Sequence, residues 1–404
     1  MRRDLLAWIT LAFSLVCPSR GFPQSTASAL ISKSTRVDFK QLISKANSGN
    51  PESQFELGVA YDRGLGVDKS EYEAMRWYRL AANSGDTYAQ NNLAYLYETG
   101  SDGLKDMAEA VKWYKRSAIY GNGMAQFNLG RLYLYGLGVQ QSNDEALRWL
   151  RKSADSKCPE AAAALGLMYA TGNGIPRDPK QALKLARKAV KQHSAQGEAL
   201  LGMLYVDGLG VTKNLEEGIK ILGKAAQMGS ASGQYALGLL YLTGRGLKKD
   251  AEQAVQLFRL AAEQRATEAQ RALGQIYESG QGVPADRREA ATWYRQAAHQ
   301  GDIESAVRLG TLLLRGEGVE KNIEEAVRLW TWAADKGNAY AQFNLAGLYA
   351  SGTGVQLDLQ KAYSLFTLAG KTLDATRQLD QISSQLIREH SAGEHPGVDD
   401  LLKR

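Results

Sequence analysis

The sequence of 404 residues predicts an all-α protein, a right-handed α/α superhelical solenoid of about nine 36-residue helix-turn-helix repeats with helical caps. Three observations predict this fold: a leucine with a fixed period, a glycine that ends one helix of each unit, and side chains suited to begin the next helix. The nine leucines are Leu57, Leu93, Leu129, Leu165, Leu201, Leu237, Leu273, Leu309 and Leu345. A fixed period of this length is typical of helix pairs that bury their apolar faces against neighbouring pairs.

The first helix of each unit carries a stripe of small, leucine and tyrosine side chains. In the first unit these are Ser53, Leu57 and Tyr61, which lie four residues apart and therefore on one helix face. The tyrosine recurs in every unit except the eighth, where Leu313 takes its place. A glycine follows, Gly64 in the first unit, at the point where helices commonly end in a left-handed residue.

The second helix of each unit begins at a residue whose side-chain oxygen can accept hydrogen bonds from first-turn N–H groups. These residues are Ser70, Asp106, Ser142, Asp178, Asn214, Asp250, Asp286, Asn322 and Asp358. Glu or Gln follows three residues later in eight units, and Lys361 in the ninth, so the pattern predicts capping boxes. Each cap contributes about 1 kcal/mol, which fixes the helix starts more securely than hydrophobic periodicity alone.

The composition excludes several classes of protein. With 44% hydrophobic and 23% charged residues, the chain is not disordered as a whole. The 49 basic and 43 acidic residues are interleaved along the chain, so no basic arm or stripe predicts nucleic-acid binding. Two cysteines cannot form a disulfide framework, and four histidines offer little material for a metal or acid–base site.

Residues 1–25 have the layout of a secretory signal peptide: Arg2 and Arg3, an apolar run from Leu5 to Val16, then small and polar residues. The apolar run of twelve is shorter than the roughly 20 residues that span a membrane. An uncleaved anchor and lipid attachment at Cys17 remain alternatives. The mature protein is therefore expected to be exported, periplasmic or secreted. The absence of any Asn-x-Ser/Thr acceptor favours a bacterial periplasm.

The remaining chain divides by the repeat register. Residues 26–49 are predicted to form a linker and an N-terminal capping helix, the latter over about 34–48. Residues 50–373 hold the nine repeats, and residues 374–404 a C-terminal capping helix followed by a flexible tail. Such caps shield the exposed ends of a solenoid.

One unit carries the pattern of a known family most clearly. Residues 125–139 read Ala-Gln-Phe-Asn-Leu-Gly-Arg-Leu-Tyr-Leu-Tyr-Gly-Leu-Gly-Val, with Glu145-Ala146 and Trp149-Leu150 downstream. This sequence resembles the Sel-one-like repeat, a relative of the tetratricopeptide repeat. The resemblance implies an α/α solenoid that acts as an adaptor or scaffold, often exported in bacteria and engaged in envelope signalling, assembly or host interaction. Some exported relatives join each repeat by a disulfide, but this chain lacks those cysteines.

No motif predicts catalysis, a cofactor or a metal. The Gly-x-Gly turns precede helices, but none extends to a dinucleotide or P-loop motif. No His-Glu-x-x-His, paired cysteine motif or serine-centred elbow occurs. We therefore expect a protein that is not an enzyme, with no cofactor, no bound metal, no nucleic-acid partner and no stable membrane span after signal cleavage.

The candidate binding residues vary between repeats and lie on the first helices, away from the conserved packing stripe. They are Phe55, Asn91, Asn92, Tyr95, Phe127, Asn128, Arg131, Tyr235, Arg271, Arg308, Phe343 and Asn344. If first helices line the concave side, these residues form a groove suited to an extended peptide or a helix. The apolar residues in the middle, such as Leu200 and Met203, either bind an apolar segment or are covered. The alternative is an envelope structural protein that binds glycan or peptidoglycan through exposed aromatic residues.

Overall fold

The computed structural model describes residues 39–101, 103–370 and 372–391, and all twenty elements in that part of the chain are α-helices. The predicted all-α solenoid of helix pairs is confirmed. The predicted signal peptide at 1–25, the linker up to residue 38 and the tail after residue 391 lie outside the described residues.

The helices follow the repeat register. Even-numbered helices from α2 to α18 are the first helices of repeats one to nine, and odd-numbered helices from α3 to α19 are the second helices. Their bounds are α1 Phe39–Asn47, α2 Pro51–Arg63, α3 Glu71–Asn83, α4 Thr87–Thr99, α5 Met107–Ile119, α6 Gly123–Tyr135, α7 Asn143–Asp155, α8 Pro159–Thr171, α9 Pro179–Lys191, α10 Ala195–Asp207, α11 Leu215–Gln227, α12 Ala231–Thr243, α13 Ala251–Glu263, α14 Thr267–Ser279, α15 Arg287–His299, α16 Ile303–Arg315, α17 Ile323–Asp335, α18 Ala339–Ser351, α19 Leu359–Gly370 and α20 Thr376–Ser391.

The chain forms two compact units, one ending at Leu240 and the other beginning at Tyr241. In the first unit, Leu42 and Ala46 of α1 pack with Leu57 and Trp77 of the first repeat. This places α1 where a capping helix is expected.

The core of the first unit continues through the repeats that follow. It is built from leucines of the first helices, such as Leu93 and Leu129, and aromatic residues of the second helices, such as Tyr78 and Tyr114. These four side chains are fully buried, so the residues that define the repeat period are the residues that fill the core.

The second unit repeats this arrangement. Tyr294 packs with Leu309 and Leu312 of the next first helix, and Trp330 packs with Leu345 one repeat later. At the end of the chain, Ile382 and Leu386 of α20 are buried with Phe366 of the last repeat. The final helix therefore lies against the last repeat, although it begins two residues after the predicted start at Asp374.

The glycine after each first helix has the left-handed conformation that the sequence predicts, with φ of 69° at Gly64. Gly100 is the exception, with φ −58° and ψ 159°. In that repeat the second glycine of the usual Gly-x-Gly turn comes one residue later, at Gly103, and Ser101 follows the first glycine. The turn therefore leaves the helix by a different path.

The predicted caps of the second helices are confirmed. The other hydrogen bond of each predicted capping box, from the cap N–H to the Glu or Gln side chain three residues later, is wrong. Each cap side chain accepts a hydrogen bond from the N–H three residues later, as Ser70 Oγ does from Glu73 at 3.2 Å. The N–H of each cap donates to the carbonyl nine residues earlier, as Ser70 does to Tyr61 at 2.9 Å. Because that donor is already used, the glutamate has other partners: Glu109 accepts from Trp113 Nε1 at 3.0 Å.

Second helices approach the first helices closely at the position after the repeated leucine, which is glycine in seven repeats and alanine in two. A Cβ placed on Gly130 would lie 2.8 Å from Leu150 Cγ and 3.2 Å from the carbonyl oxygen of Ala146. Real Cβ atoms essentially never come closer than 3.0 Å, so a side chain here would require Leu150 to shift where α6 meets α7.

Candidate partner-binding surface

The structure places the twelve candidate residues on first helices and divides them between the two units. Eight lie in the first unit, on α2, α4, α6 and α12: Phe55, Asn91, Asn92, Tyr95, Phe127, Asn128, Arg131 and Tyr235. Four lie in the second unit, on α14, α16 and α18: Arg271, Arg308, Phe343 and Asn344. Their role in binding a partner stays a prediction.

The candidate residues differ in exposure. Seven are buried, namely Phe55, Asn91, Asn92, Phe127, Asn128, Arg131 and Tyr235. Five are half-buried, namely Tyr95, Arg271, Arg308, Phe343 and Asn344. The apolar residues Leu200 and Met203 in the middle of the same register are fully buried. The half-buried set, concentrated in the second unit, is the part best placed to reach another molecule.

The asparagines in the first unit form a row of amides. Asn128 Nδ2 on α6 donates to Asn91 Oδ1 on α4 at 3.0 Å. Asn91 Nδ2 donates in turn to Asn92 Oδ1 at 3.1 Å. Both asparagines of the first contact are fully buried, so this bond holds adjacent first helices in register.

Arg131 belongs to a buried network of three side chains from three helices. Its guanidinium forms an ion pair with Glu98 on α4, and both side chains are less than 10% exposed. Tyr114 on α5 donates its hydroxyl to Glu98 Oε2 at 3.1 Å. Burial, then the Glu98 charge, raises the pKa of Tyr114 well above its ordinary value. Burial opposes ionisation of Arg131, but the adjacent carboxylate prevails and raises its pKa, so the guanidinium stays charged.

A related network in the second unit is more exposed. Tyr294 donates to Glu278 Oε2 at 2.7 Å, and Arg308 Nη1 lies 3.0 Å from the same oxygen. The side chain of Arg308 is 42% exposed and also pairs with Glu304 at 3.4 Å. Nearby, Arg271 Nη1 lies 2.6 Å from Asp302 Oδ2. The two guanidinium groups are held by carboxylates on the first-helix face of this unit.

The carboxylates that accept from these tyrosines were not predicted, although a pattern in the sequence marks them. An acid and a tyrosine sixteen residues apart occur together in three repeats, as Asp62 and Tyr78, Glu98 and Tyr114, and Glu278 and Tyr294. In the other six repeats both positions are apolar, as with Leu134 and Leu150. A carboxylate appears only where the second helix supplies a hydroxyl, because a buried charge requires a hydrogen-bonding partner.

Other groups with chemical potential are dispersed. Among the described residues, no group of three or more His, Cys, Asp or Glu side chains is placed to hold a metal ion. Cys158 is buried, and burial raises the pKa of its thiol to about 12, which keeps it unreactive. No helix in the described ranges combines the length and apolar character needed to cross a membrane.

The stacked pairs and the fixed register define an α/α repeat solenoid, and comparison with known families identifies which one. The Sel1 repeat model matches nine segments: 51–86, 87–119, 123–158, 159–194, 195–230, 231–265, 267–302, 303–338 and 339–371. The chain therefore belongs to the Sel1 repeat family. Proteins of this family are generally scaffolds for protein interactions and are typically not catalytic, and repeat solenoids of this kind bind protein partners.

Solved structures include bacterial relatives. A protective antigen of uropathogenic Escherichia coli with a Sel-one-like repeat (SLR) fold is 33% identical to this chain. The match covers 86% of this chain and 83% of its own, with a TM-score of 0.45. A Sel1 repeat protein from Oxalobacter formigenes is 28% identical, over 88% of this chain and 93% of its own, with a TM-score of 0.48. No curated protein matches the chain. Family membership rests on the nine matched repeats.

Proposed function

We propose that this protein is an exported, non-enzymatic adaptor that binds another protein through the face formed by its first helices. One observation carries the proposal. Residues that pack the helices recur in nearly every repeat, whereas the half-buried residues on the first-helix face change from one repeat to the next. Packing explains the recurring residues, and recognition of an irregular partner explains the changing ones.

The second unit offers the chemistry for such recognition. Arg271 and Arg308 present guanidinium groups that are held in place by carboxylates, and Phe343 and Asn344 add an aromatic edge and an amide. Arginine and aromatic side chains supply much of the binding energy in protein interfaces. Such a mixture of guanidinium, aromatic and amide groups suits an extended peptide or a helix.

Photo-crosslinking tests the location of the binding face. A photoreactive amino acid at Arg308 or Asn344 should capture the partner in cells, because both positions are half-buried on first helices. The matched control is Gln256, an exposed residue on the second helix α13. Capture from Gln256 with none from Arg308 and Asn344 would refute this placement of the surface.

Export rests on residues 1–25, whose layout is that of a secretory signal. We place the adaptor in a bacterial envelope, where it would serve signalling, assembly or host interaction. Expression of the full chain in a Gram-negative host should yield a shortened protein in the periplasmic fraction. Full-length protein confined to the cytoplasm would contradict export without affecting the proposed binding face.

The alternative function is binding of glycan or peptidoglycan. Several aromatic side chains are exposed, including Tyr340 at 63% and Tyr120 at 72%, and such rings stack on sugars. Co-sedimentation with purified cell wall would support this alternative if replacement of both tyrosines by alanine abolished it.

A further inference from the structure

The second helices of the first unit present cations on their outward side. Four positions of each second helix are exposed or half-buried; in α9 these are the exposed Lys180, Lys184 and Arg187 and the half-buried Lys188. Across the five second helices of this unit, fourteen of the twenty such positions are Lys or Arg. The outward side therefore carries a positive charge that neither the interleaved sequence nor the net charge of +6 makes apparent.

Four of the five helices neutralise part of this charge themselves. The glutamate three residues after the cap pairs with the cation three residues further on, as Glu109 does with Lys112 at 2.8 Å and Glu145 with Arg148 at 2.7 Å. The pairs in α3 and α11 are Glu73 with Arg76 at 3.3 Å and Glu217 with Lys220 at 4.0 Å. In α9 the glutamate is replaced by Gln181, yet the cation, Lys184, is kept.

Helix α9 consequently has an unneutralised row of cations. Lys180, Lys184, Arg187 and Lys191 are separated by four, three and four residues, so they lie on one side of the helix over about 17 Å. All four are exposed, and among the described residues none is within ion-pair distance of a carboxylate. We call these four residues the α9 row.

Acidic residues lie beside the two ends of the α9 row. Helix α7 lies next to α9, because Lys188 Nζ donates to the carbonyl oxygen of Ala154 at 3.0 Å. One repeat away from Lys180 in register are Asp144 on α7 and Glu216 on α11, both exposed. One repeat before Lys191 is Asp155. Beside the middle of the row the neighbouring helices carry Arg148, Arg151 and Lys220, so the acids interrupt the positive surface at the two ends of α9 and not along its whole length.

We propose that the α9 row docks an acidic helix of a partner protein, in addition to the first-helix surface of the proposed function. Carboxylates at positions i, i+4, i+7 and i+11 of a helix have the same axial spacing as the α9 row, so each cation meets one carboxylate. A narrow ligand that lies along α9 avoids the acids on α7 and α11. The row is thus a second contact surface of the scaffold.

Other anions fit this surface less well. A membrane or a nucleic acid that crosses the helices meets Asp144, Asp155 and Glu216 as well as the cations. None of the large exposed apolar side chains of the described chain lies on α7 or α9, so there is no group to insert into lipid or to stack on bases.

The test uses the full chain and a fluorescent helical peptide with glutamates at i, i+4, i+7 and i+11 on an alanine background. The comparison peptide has the same composition, with the glutamates distributed around the helix. Fluorescence anisotropy should give at least about fivefold tighter binding for the first peptide, and its affinity should fall with added salt. The variant Lys184→Glu with Arg187→Glu should weaken binding about tenfold or more, because two attractive contacts become repulsive.

The control variant changes the same net charge elsewhere. Arg328→Glu with Lys321→Glu alters two exposed cations of the second unit, and Arg328 has the same register as Lys184. It should leave the affinity unchanged. Equal affinity for the two peptides, or equal weakening by both variants, would overturn the proposal. A membrane ligand would be indicated instead if the two peptides bound equally and the protein bound vesicles of phosphatidylcholine and phosphatidylserine. In that case the Lys184/Arg187 variant, but not the control variant, would lose vesicle binding, and the proposal would be overturned.

Discussion

Two sets of three positions in the first unit, one repeat period apart, are filled in opposite ways. The first set is Glu98 and Tyr114 of the second repeat with Arg131 of the third, which form the buried charged network. The second set, 36 residues later, is Leu134, Leu150 and Leu167. All three leucines are buried, with exposures of 6%, 1% and 5%.

The comparison shows that the fold requires these positions to be filled but not that they be apolar. Leucine fills them by packing alone. The charged set fills them only as a complete group, because each member satisfies another. Removing one member leaves a buried charge without its partner, whereas removing a leucine methyl group leaves only a cavity.

The largest effect is expected from Arg131→Leu. The change leaves the Glu98 carboxylate buried without its cation and should lower the free energy of unfolding by about 3 to 5 kcal/mol. The matched control is Arg308→Leu, whose partner Glu278 is 27% exposed; this should lower it by less than about 1 kcal/mol. Urea unfolding followed by circular dichroism measures both. Equal effects would remove the distinction between buried and exposed networks.

A buried carboxyl without a paired guanidinium sharpens the comparison. Glu268 is 2% exposed, and burial raises its pKa from 4.5 to about 7. A pKa higher in the folded than in the unfolded state means that stability is lost as the pH rises from about 4.5 to about 7. Glu268→Gln should therefore raise the unfolding free energy by up to about 3 kcal/mol at pH 8 and have little effect at pH 4. A gain of the same size at both pH values would contradict the assigned cause.

Tight packing of the apolar version predicts a third effect. Gly130→Val places side-chain atoms against Leu150 and should cost roughly 1 to 3 kcal/mol through overpacking. The control is Gly223→Ala on α11, where an added Cβ has no atom within 4 Å and where alanine favours the helix. An unchanged melting temperature for Gly130→Val would defeat the close-approach argument.

The smallest effect is expected when the whole charged set is exchanged. A triple variant, Glu98→Leu with Tyr114→Leu and Arg131→Leu, copies the leucine set one period later and should change the unfolding free energy by no more than about 1 kcal/mol. A loss as large as that of Arg131→Leu alone would mean that the charged network supplies stability that leucine cannot replace.

The sequence predicted most of the fold because repetition made its signals redundant. The leucine period, the glycine turns and the caps at Ser70 and its equivalents all marked the same helix boundaries. The second hydrogen bond of the capping box, from the cap N–H to the side chain three residues later, was predicted wrongly. The local sequence does not show that this N–H has another acceptor. The carbonyl of Tyr61 reaches the N–H of Ser70 only after the turn has folded.

The candidate surface was predicted less completely. Position on a first helix identified which residues vary, but not that Asn128 and Arg131 would be buried against Asn91 and Glu98. Burial of a polar residue depends on partners from neighbouring repeats, which hydrophobic periodicity does not encode. The α9 row was missed for another reason: cations spaced by three and four residues look interleaved in sequence and align only in a helix.

The hydrogen bond from each cap N–H to the carbonyl nine residues earlier has a consequence for how such chains change in length. In all nine repeats that bond joins the two helices across a turn of the same span, from Ser70 to Tyr61 and from Asp358 to Tyr349. Inserting or deleting one residue there would change the span that this bond closes. Duplication or loss of an entire repeat keeps the bond intact, so genes of this kind are expected to grow and shrink in steps of 108 nucleotides, three for each of the 36 residues.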